Sequence, residues 1–403
     1  MNNKKRLWVV SEMFYPDETA TSNIMTQIAK SLSEMSIVNV LCGPIGYDFI
    51  SNEASWDSNS IKIYRVRIPN FNKNVLFFRI IRFLFLSLGM FCKGLFLIKK
   101  TDRVLIVTNP AFNIPLFSLI KILKRNKYFI LVHDVFPENL LAADLLKRPD
   151  SFYFRLIRRV YNWSYCKADS LIVLGRDMKE VMQKKTKYKK DIEIIENWGD
   201  TETISIEKFE NNTLIQKLNL QDKIVFMFAG NIGRVQGLEY FFKVIQKVDN
   251  SLIHFLFIGS GSNLNSLKKT FENNKNVTFL NYIPRSEQNT FLNACHVGVV
   301  TLSPKLYGLG VPSKTYNIMA AGKPILFLGN KKTEVALMLH ENECGYVFAP
   351  EEEDQLLNFF QSFNKNSLIQ VQLKGLKARH LSETRYSKEK IIRKLENIIF
   401  KNY

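Results

Sequence analysis

The stretch FMFAGNIGRVQG, residues 226–237, decides the fold of this chain. It opens with an apolar run of strand length, continues into a glycine-rich turn, and leads into an apolar-periodic helical segment. A strand that passes through such a turn into a helix is the repeating unit of parallel α/β sheets. The stretch therefore predicts an α/β fold.

Short apolar runs alternate with helical segments along the whole chain, so the same unit recurs. In the first half the predicted strands are 7–10, 38–42, 61–66, 104–108, 128–132, 170–174 and 193–195. In the second half they are 224–229, 253–258, 277–280, 297–302, 325–328 and 346–348. Two doubly wound, Rossmann-like domains follow, with ligands expected beyond the carboxyl ends of the strands and in the cleft between the domains.

The turn-rich stretch 196–200 separates the two sets of strands and suits a domain junction. We therefore expect an N-terminal domain over residues 1–200 and a C-terminal domain over residues 201–385. Apolar residues with helical spacing close the chain, which predicts a terminal helix over residues 386–403.

Composition restricts the class of protein. The 403 residues are 46% hydrophobic, as in an ordinary folded chain, and Lys and Arg exceed Asp and Glu by 19. The five cysteines are widely spaced without a C-x-x-C pair, so we expect a reducing cytoplasm and neither a zinc site nor a disulfide framework. The charge excess predicts a polyanionic partner, an acidic membrane surface or an anionic ligand.

The segment 75–98 is the candidate for membrane contact. Phe and Leu dominate it, but Arg79, Arg82 and Lys93 interrupt it, and its longest uncharged stretch is half the roughly 20 residues that span a bilayer. Two interpretations remain open: a buried or interdomain helix, and an interfacial helix lying on a membrane.

Two loops of the second half have the composition of a phosphate site. In residues 229–237 the glycines allow close approach of a ligand, and Arg234 adds a charge with fork geometry. In residues 308–324 we expect Pro312 at the first helical position, with Ser313, Lys314 and free backbone donors at the helix start. The alternatives are a glycine-rich turn with a solvated arginine and a purely structural capped helix.

A third loop, residues 258–263, lacks the last glycine and the acidic residue of a dinucleotide fingerprint. A tight turn is the better interpretation, which argues against a nicotinamide enzyme. In the first half, Thr21 and Ser22 begin a helix and serve equally well as caps or as ligand contacts. His133 ends a strand beside an acidic residue, and a sugar contact and a satisfied loop histidine are about equally supported there.

Together these motifs resemble the family 4 glycosyltransferases of the GT-B fold, particularly bacterial O-antigen and capsular polysaccharide enzymes such as L-fucosamine transferases. The matching pieces occur in family order: residues 11–22, 133–138, 197–200, 229–238, 259–261, 282–285 and 312–324. The resemblance implies a nucleotide-diphosphate sugar held mainly by the second domain, an acceptor held mainly by the first, and a terminal helix that crosses back to the first.

The resemblance also assigns residues by position. The implied catalytic residues are His133 facing the transferred sugar and Arg234 and Lys314 at the diphosphate. The expected donor-binding residues surround the diphosphate, the ribose and the base: Thr21, Ser22, Gly233, Tyr282, Ile283, Arg285, Gly310, Ser313 and Asn317.

The chain departs from the family pattern at three positions. The family's paired glutamates fall on Leu309 and Asn317, and its second basic residue in the first phosphate loop is Gln236 here. Asn317 can still hydrogen-bond a ribose hydroxyl, whereas the Leu309 side chain cannot bind a sugar hydroxyl.

The family implies transfer with retention of anomeric configuration, without a metal or other cofactor. The leaving diphosphate could itself accept the acceptor's proton, while Arg234, Lys314 and the helix dipole stabilise its growing charge. The expected donor is a UDP-linked N-acetylated aminosugar such as UDP-L-FucNAc, and the expected acceptor is an undecaprenyl-diphosphate-linked saccharide.

Three other classes stay open at this point. A sugar-nucleotide epimerase shares the architecture but needs a catalytic carboxylate and histidine set that the sequence does not clearly offer. A basic nucleic-acid-binding protein fits the charge, yet no such module is recognisable, and we expect no nucleic-acid partner. A catalytically dead scaffold fits Leu309 but not the retained Arg234 and Lys314.

The positive charge is concentrated in the first domain. Residues 72–103 carry a net +6 and residues 147–190 a net +9. Each basic residue near an anionic leaflet adds about 1 kcal/mol of attraction. We therefore expect a cytoplasmic protein peripherally associated with the inner face of the plasma membrane.

Overall fold

The structure is a computed structural model that describes residues 5–46, 61–69, 76–146, 148–233 and 236–401. The chain divides into two compact units. The first unit comprises Met1–Ile195, Gly308–Gly310 and Ile392–Tyr403, and the second comprises Glu196–Tyr307 and Val311–Ile391. Three residues from the middle of the second half therefore belong to the first unit.

The first unit contains a seven-stranded parallel sheet with the order β3-β2-β1-β4-β5-β6-β7. Its strands are β1 (Arg6–Ser11), β2 (Ile37–Cys42), β3 (Ile61–Arg65), β4 (Arg103–Val107), β5 (Lys127–Val132), β6 (Ser170–Val173) and β7 (Ile192–Ile194). Val9 lies beside Val40 on one side and Leu105 on the other, and all three are buried. Such apolar strands form the centre of a sheet that helices cover on both faces.

The second unit contains a six-stranded parallel sheet with the order β10-β9-β8-β11-β12-β13. Its strands are β8 (Ile224–Ala229), β9 (Ile253–Ile258), β10 (Val277–Leu280), β11 (Val297–Thr301), β12 (Ile325–Leu328) and β13 (Gly345–Phe348). The central strands β8, β9 and β11 are almost wholly buried, so their ends hold the following loops firmly.

Helices lie between most of the strands that the structure describes. In the first half they are α1 (Ala20–Ser33), α2 (Leu76–Leu97), α3 (Asn113–Lys124), α4 (Glu138–Ala142), α5 (Phe152–Lys167) and α6 (Arg176–Lys185). In the second half they are α7 (Thr213–Leu218), α8 (Glu239–Lys247), α9 (Leu264–Thr270), α10 (Gln288–Asn293), α11 (Lys314–Ala320), α12 (Glu334–Glu341), α13 (Glu353–Ser362), α14 (Ser367–Thr384) and α15 (Lys388–Phe400).

The predicted strands are all present, each within one residue of its predicted ends, and the doubly wound α/β fold class is confirmed. Parallel strands buried on both faces form continuous apolar runs, which is why a single sequence predicts them well. The last residues of α15 belong to the first unit, where the Arg103 Nε donates a hydrogen bond of 2.7 Å to the Ile399 carbonyl.

Within the segment 75–98, the described residues Leu76–Leu97 form α2, which has buried and exposed positions along its length. Leu86 and Met90 lie in the core of the first unit, whereas Phe85 and Phe96 are exposed. By length and composition alone, Phe78–Leu97 is long and apolar enough to cross a membrane. An 18-residue window of this helix has a mean hydropathy of 1.9, and 28% of that window is buried inside the protein. Burial of the whole segment is therefore excluded for the described residues, and one face of α2 remains open to an interfacial position.

Candidate functional site

The glycine-rich loops after β8 and β9 pack directly against each other. The Gly230 N–H donates to the Ile258 carbonyl at 2.9 Å, and the Ile232 N–H donates to the Ser260 carbonyl at 2.8 Å. A Cβ on Gly259 would overlap the Gly230 carbonyl oxygen. The loop after β9 is therefore the tight turn that its sequence predicts, and its glycine permits close packing of the neighbouring phosphate-type loop.

Lys314 lies against the first of these loops. Its Nζ is 3.6 Å from the centroid of the Phe228 ring, and a Cβ on Gly230 would come within 2.9 Å of it. The nitrogen is closed to solvent and has no hydrogen-bond partner in the described part of the chain. Burial lowers the pKa of Lys314 to about 7. Because a buried ammonium is costly without a counter-ion, this position is suited to an anionic ligand.

The start of α11 differs from its sequence prediction. Ser313 is the residue before the helix and makes no capping hydrogen bond, so Pro312 lies one residue further out and not at the first helical position. The N–H groups of Thr315 and Tyr316 donate to the carbonyls of Pro312 and Ser313, both at 3.3 Å. The expectation of free backbone donors is thus wrong for these two groups, because a tight turn precedes the helix.

The stretch 197–200 organises the predicted ribose and base residues. The Asp200 N–H donates to the Asn317 Oδ1 at 3.2 Å, and the Asp200 carboxylate lies 3.9 Å from the Arg285 guanidinium. A Cβ on Gly199 would overlap the Tyr316 carbonyl, so only glycine lets this stretch approach α11 so closely. Sequence reasoning missed Asp200 as the residue that links Asn317 to Arg285.

The remaining predicted donor residues of the second unit lie in loops at the same end of the sheet. Tyr282 and Ile283 follow β10, and Ile283 packs on the hydrophobic core. Gly233 follows β8, and its carbonyl accepts the N–H of Gln236 at 3.3 Å. The prediction for Arg234 falls outside the described residues.

In the first unit, His133 lies in the loop that follows β5. The N–H groups of His133 and Asp134 both donate to the Thr108 Oγ1, at 3.2 and 3.0 Å. The His133 Nε2 is buried and has no hydrogen-bond partner among the described atoms. Burial lowers the pKa of His133 to about 4 and raises that of Asp134 to about 6, the latter against a hydrogen bond from Asn139. His133 is therefore neutral at pH 7, with an unused ring nitrogen.

Gly308–Gly310, which sequence analysis groups with the donor residues, is part of this first unit. The Leu309 side chain is buried, and its carbonyl accepts the Val135 N–H at 3.0 Å. A Cβ on Gly310 would lie 3.2 Å from the His133 carbonyl oxygen. Leu309, which departs from the family pattern, thus packs in the first unit and supports the His133 loop.

Two contacts that the sequence does not reveal hold the far end of the same loop. Lys185 on α6 makes hydrogen bonds of 2.7 and 2.6 Å to both carboxylate oxygens of Glu138. The Phe136 N–H donates to the Tyr165 hydroxyl of α5 at 3.2 Å. Lys185 is buried, and its isolation from water lowers its pKa in spite of the nearby carboxylate. Only its burial distinguishes it from its basic neighbours in the sequence.

Thr21 and Ser22 lie in the first turn of α1, but neither caps the helix. Thr19 is the cap, and its Oγ1 accepts the Ser22 N–H at 3.1 Å. The capping interpretation of Thr21 and Ser22 is therefore wrong, because the cap lies two residues before Thr21 and three before Ser22. The Ser22 hydroxyl is buried and has no hydrogen-bond partner in the described segments, so it has the unused capacity that a ligand contact needs.

The described residues contain no group of three or more His, Cys, Asp or Glu side chains that could hold a metal ion. The predicted site residues that the structure describes are divided between the two units. Lys314, Ser313, Asn317, Arg285, Tyr282, Ile283 and Gly233 belong to the second unit, and His133, Gly310, Thr21 and Ser22 belong to the first.

Comparison with known proteins gives three kinds of likeness. The family described as Glycosyl transferases group 1 matches residues 210–376. The "Probable glycosyltransferase WbjE" of Pseudomonas aeruginosa is 37% identical over 288 residues, which cover 71% of this chain and 72% of that protein. Two solved structures share the fold at low identity, a sucrose-phosphate synthase from Thermosynechococcus elongatus and Anabaena Alr3699/HepE in complex with UDP-glucose.

The synthase has a TM-score of 0.76 at 13% identity and covers 98% of both chains. The HepE complex has a TM-score of 0.69 at 12% identity and covers 98% of this chain and all of that one. These two likenesses concern the fold, while the relative and the family match concern descent. The predicted family and enzyme class are therefore confirmed, and the chain belongs to the glycosyl transferases group 1 family as a glycosyltransferase of the GT-B fold.

Proposed function

We propose that the protein transfers a sugar from a UDP-linked donor to a lipid-linked saccharide in the assembly of a bacterial surface polysaccharide. The observation that carries the donor half of this proposal is Lys314. Its ammonium is closed to solvent, contacts the Phe228 ring, and has no hydrogen-bond partner in the described chain. A diphosphate would supply the missing counter-charge.

Further support comes from the surroundings of Lys314. The glycine-rich Gly230 loop allows close backbone approach on one side, and Ser313 precedes the helix on the other with its hydroxyl unused as a cap. A protein of the same fold, Anabaena HepE, has been solved with UDP-glucose. In this proposal Gly233, Arg234, Ser313 and Lys314 bind the diphosphate.

The nucleoside half of the donor would use the residues that Asp200 organises. Tyr282, Ile283 and Arg285 bind the base in this proposal, and Asn317 binds the ribose. The Asn317 Oδ1 already accepts a hydrogen bond from the Asp200 N–H. A ribose hydroxyl would therefore accept a hydrogen bond from the Asn317 amide nitrogen, or donate a second hydrogen bond to the same Oδ1. In the first unit, we propose donor contacts for Thr21, Ser22 and Gly310 and a contact of His133 with the transferred sugar.

The chemistry proposed is retaining transfer without a metal. The bond from the anomeric carbon to the diphosphate oxygen breaks, a bond to the acceptor hydroxyl oxygen forms on the same face, and the hydroxyl proton moves to the departing diphosphate. Lys314 and Arg234 stabilise the charge that develops on that leaving group. A neutral His133 can accept or donate one hydrogen bond at the sugar without repelling a developing positive charge.

For the substrates, we propose UDP-L-FucNAc or a similar N-acetylated aminosugar as donor and an undecaprenyl-diphosphate-linked saccharide as acceptor. The motif order shared with bacterial polysaccharide enzymes supports both. Such an acceptor requires the enzyme to work at the cytoplasmic face of the plasma membrane. A panel of UDP-sugars assayed with a synthetic lipid-diphosphate-sugar acceptor, with and without EDTA, tests the donor, the linkage and the absence of a metal requirement.

Proton uptake on UDP binding tests the role of Lys314. With a pKa of about 7, this lysine is mostly neutral at pH 8 in the free enzyme. A bound diphosphate raises the lysine's pKa, so binding should take up about 0.9 proton per UDP at pH 8. The terminal phosphate of UDP is already ionised there, since its second pKa is about 6. Calorimetry in buffers of different ionisation enthalpy measures the uptake.

The matched control is a second buried lysine of the same unit. Lys323 is 8% exposed, and its pKa is also lowered by burial. Lys314→Met should abolish proton uptake and weaken UDP binding at least tenfold, whereas Lys323→Met should keep both. Unchanged UDP affinity and uptake in Lys314→Met would refute the proposed diphosphate site.

A further inference from the structure

Helices α2, α3 and α5 of the first unit form one layer, with α3 in the middle. The Asn113 Nδ2 donates to the Met90 Sδ at 3.2 Å and joins α3 to α2. The Ser118 Oγ donates to the Ser164 carbonyl at 3.1 Å and joins α3 to α5. Gly94 brings α2 so close to α3 that a Cβ there would lie 3.0 Å from an α3 side chain. The outward faces of the three helices are therefore neighbours.

The outward face of this layer is strongly apolar. Of 23 large hydrophobic side chains that the described residues expose, fourteen lie on these three helices. Phe96 of α2 is 84% exposed, Leu123 of α3 is 64% exposed, and Tyr153 of α5 is 77% exposed. Exposed apolar surface of this extent marks an interaction site, because a cluster of apolar side chains is unfavourable on a face that contacts only water.

The same helices are charged with one sign only. They carry nine Lys and Arg residues and no Asp or Glu. Arg155 and Arg159 are exposed beside the apolar stripe of α5, and Lys93 is exposed on α2. A second copy of this chain would bring like charges together across the interface, which opposes self-association through this face. An anionic bilayer presents negative headgroups above an apolar interior and so matches both properties.

Helix α2 is built into the first unit, which determines how it can meet a membrane. Arg82 is 6% exposed and lies 3.5 Å from the Glu12 carboxylate at the end of β1. Gly89 allows Val66 to contact the backbone of α2, and a Cβ there would come within 2.5 Å of the Val66 side chain. Crossing a bilayer would expose this buried ion pair to lipid at high cost. A helix parallel to the bilayer surface keeps it buried.

We infer that α2, α3 and α5 form a docking surface for an anionic phospholipid bilayer, with their apolar faces in the interfacial region and their basic residues at the headgroups. The inference deepens the proposed function, on which it rests for a lipid-linked acceptor, by assigning the surface that brings the enzyme to that lipid. It adds α3 and the apolar face of α5, which charge counting along the sequence does not reveal.

Vesicle sedimentation with the purified full-length protein tests the docking surface. The vesicles contain phosphatidylcholine alone or a 7:3 mixture with phosphatidylglycerol. Wild type should bind the anionic vesicles preferentially, and 0.5 M salt should weaken that binding. Phe96→Ser, Leu123→Ser and Tyr153→Ser should each lower the partition coefficient about tenfold. Arg155→Gln and Arg159→Gln should each lower it about fivefold on anionic vesicles only.

Matched control variants lie on the second unit. Ile369 on α14 is 64% exposed, as Leu123 is, and Lys269 on α9 is an exposed lysine. Ile369→Ser and Lys269→Gln should leave vesicle binding unchanged. Since all the substituted side chains are exposed, the midpoint of thermal unfolding should stay that of wild type.

Three results would overturn the inference: no preference of wild type for anionic vesicles, equal losses in the control variants, or resistance to alkaline carbonate extraction, which would mean that α2 spans the bilayer. UDP binding and transfer to a short-chain, water-soluble acceptor analogue are measured on the same preparations. A wild-type protein that catalyses transfer but does not bind anionic vesicles would count against the docking surface alone. A wild-type protein that binds anionic vesicles but neither binds UDP nor catalyses transfer would count against the proposed function alone.

Discussion

Gly259→Ala is the substitution that most directly probes the packing of the two glycine loops. Gly259 has a φ of +148°, and a Cβ there would overlap the Gly230 carbonyl oxygen. An alanine in that backbone region, which is almost restricted to glycine, costs about 1–3 kcal/mol. Moving the loops apart also weakens the hydrogen bonds from Gly230 and Ile232, at about 1 kcal/mol each. We expect the second unit to lose about 3 kcal/mol.

Calorimetry and UDP titration check this expectation. A loss of 3 kcal/mol corresponds to roughly 10 °C in the midpoint of a unit of this size, and added UDP identifies that unit's transition because it raises the midpoint. UDP affinity should fall as well, since the displaced loop is the one that contacts Lys314. Gly46→Ala is the control, because nothing lies within 4 Å of a Cβ there. A Gly259→Ala protein with the midpoint and UDP affinity of wild type would refute the reasoning.

Three further substitutions probe the His133 loop. Lys185→Met leaves the Glu138 carboxylate half-buried and unpaired, so we expect the free energy of unfolding to fall by about 2 kcal/mol and turnover to fall at least tenfold. Lys184 is exposed, and Lys184→Met should stay near wild type in both measurements. Equal effects of the two substitutions would contradict the positioning role of Lys185. Leu309→Ala should lower the free energy of unfolding, measured in urea, by about 3 kcal/mol, because it removes a buried side chain. A decrease of less than about 1 kcal/mol would contradict the burial of Leu309. Burial depresses the pKa of His133 in the folded protein to about 4, so the unfolded chain binds this proton first as the pH falls. Stability should therefore decline by roughly 2–3 kcal/mol between pH 7.5 and 4.5. His133→Gln should remove that part of the pH dependence, and parallel stability curves for the two proteins would contradict it.

Sequence reasoning succeeded where the physical cause is local. The strands β8 and β9 are apolar on both faces, and glycine turns follow them, so their type and ends could be predicted within a residue. Gly322 follows α11 in the left-handed conformation that glycine favours after a helix, with a φ of +65°. Sequence reasoning failed where several neighbouring residues suit the same role. Hydroxyl residues crowd the start of α1, and Thr19 is the cap, although Thr21 and Ser22 were the candidates considered for it.

Other site properties depend on neighbours distant in the chain. Lys314 appears in the sequence as one lysine among many, and only its packing on Phe228 and Gly230 closes its nitrogen to water. Leu309 appears as a lost sugar ligand, but its carbonyl accepts the Val135 N–H. Lys185 pairs with Glu138, which lies 47 residues earlier. No periodicity or spacing encodes such contacts.

By itself, then, the amino-acid sequence determined the doubly wound fold, the strand ends, the loops that carry the candidate site and the sign of the charge, because these follow from apolar periodicity, turn residues and counting. Only the tertiary structure decided which lysine is buried without a partner, which carbonyl supports the His133 loop, and which faces of α2, α3 and α5 meet as one surface. Burial and adjacency are properties of packed elements, and packing joins residues that the sequence keeps far apart.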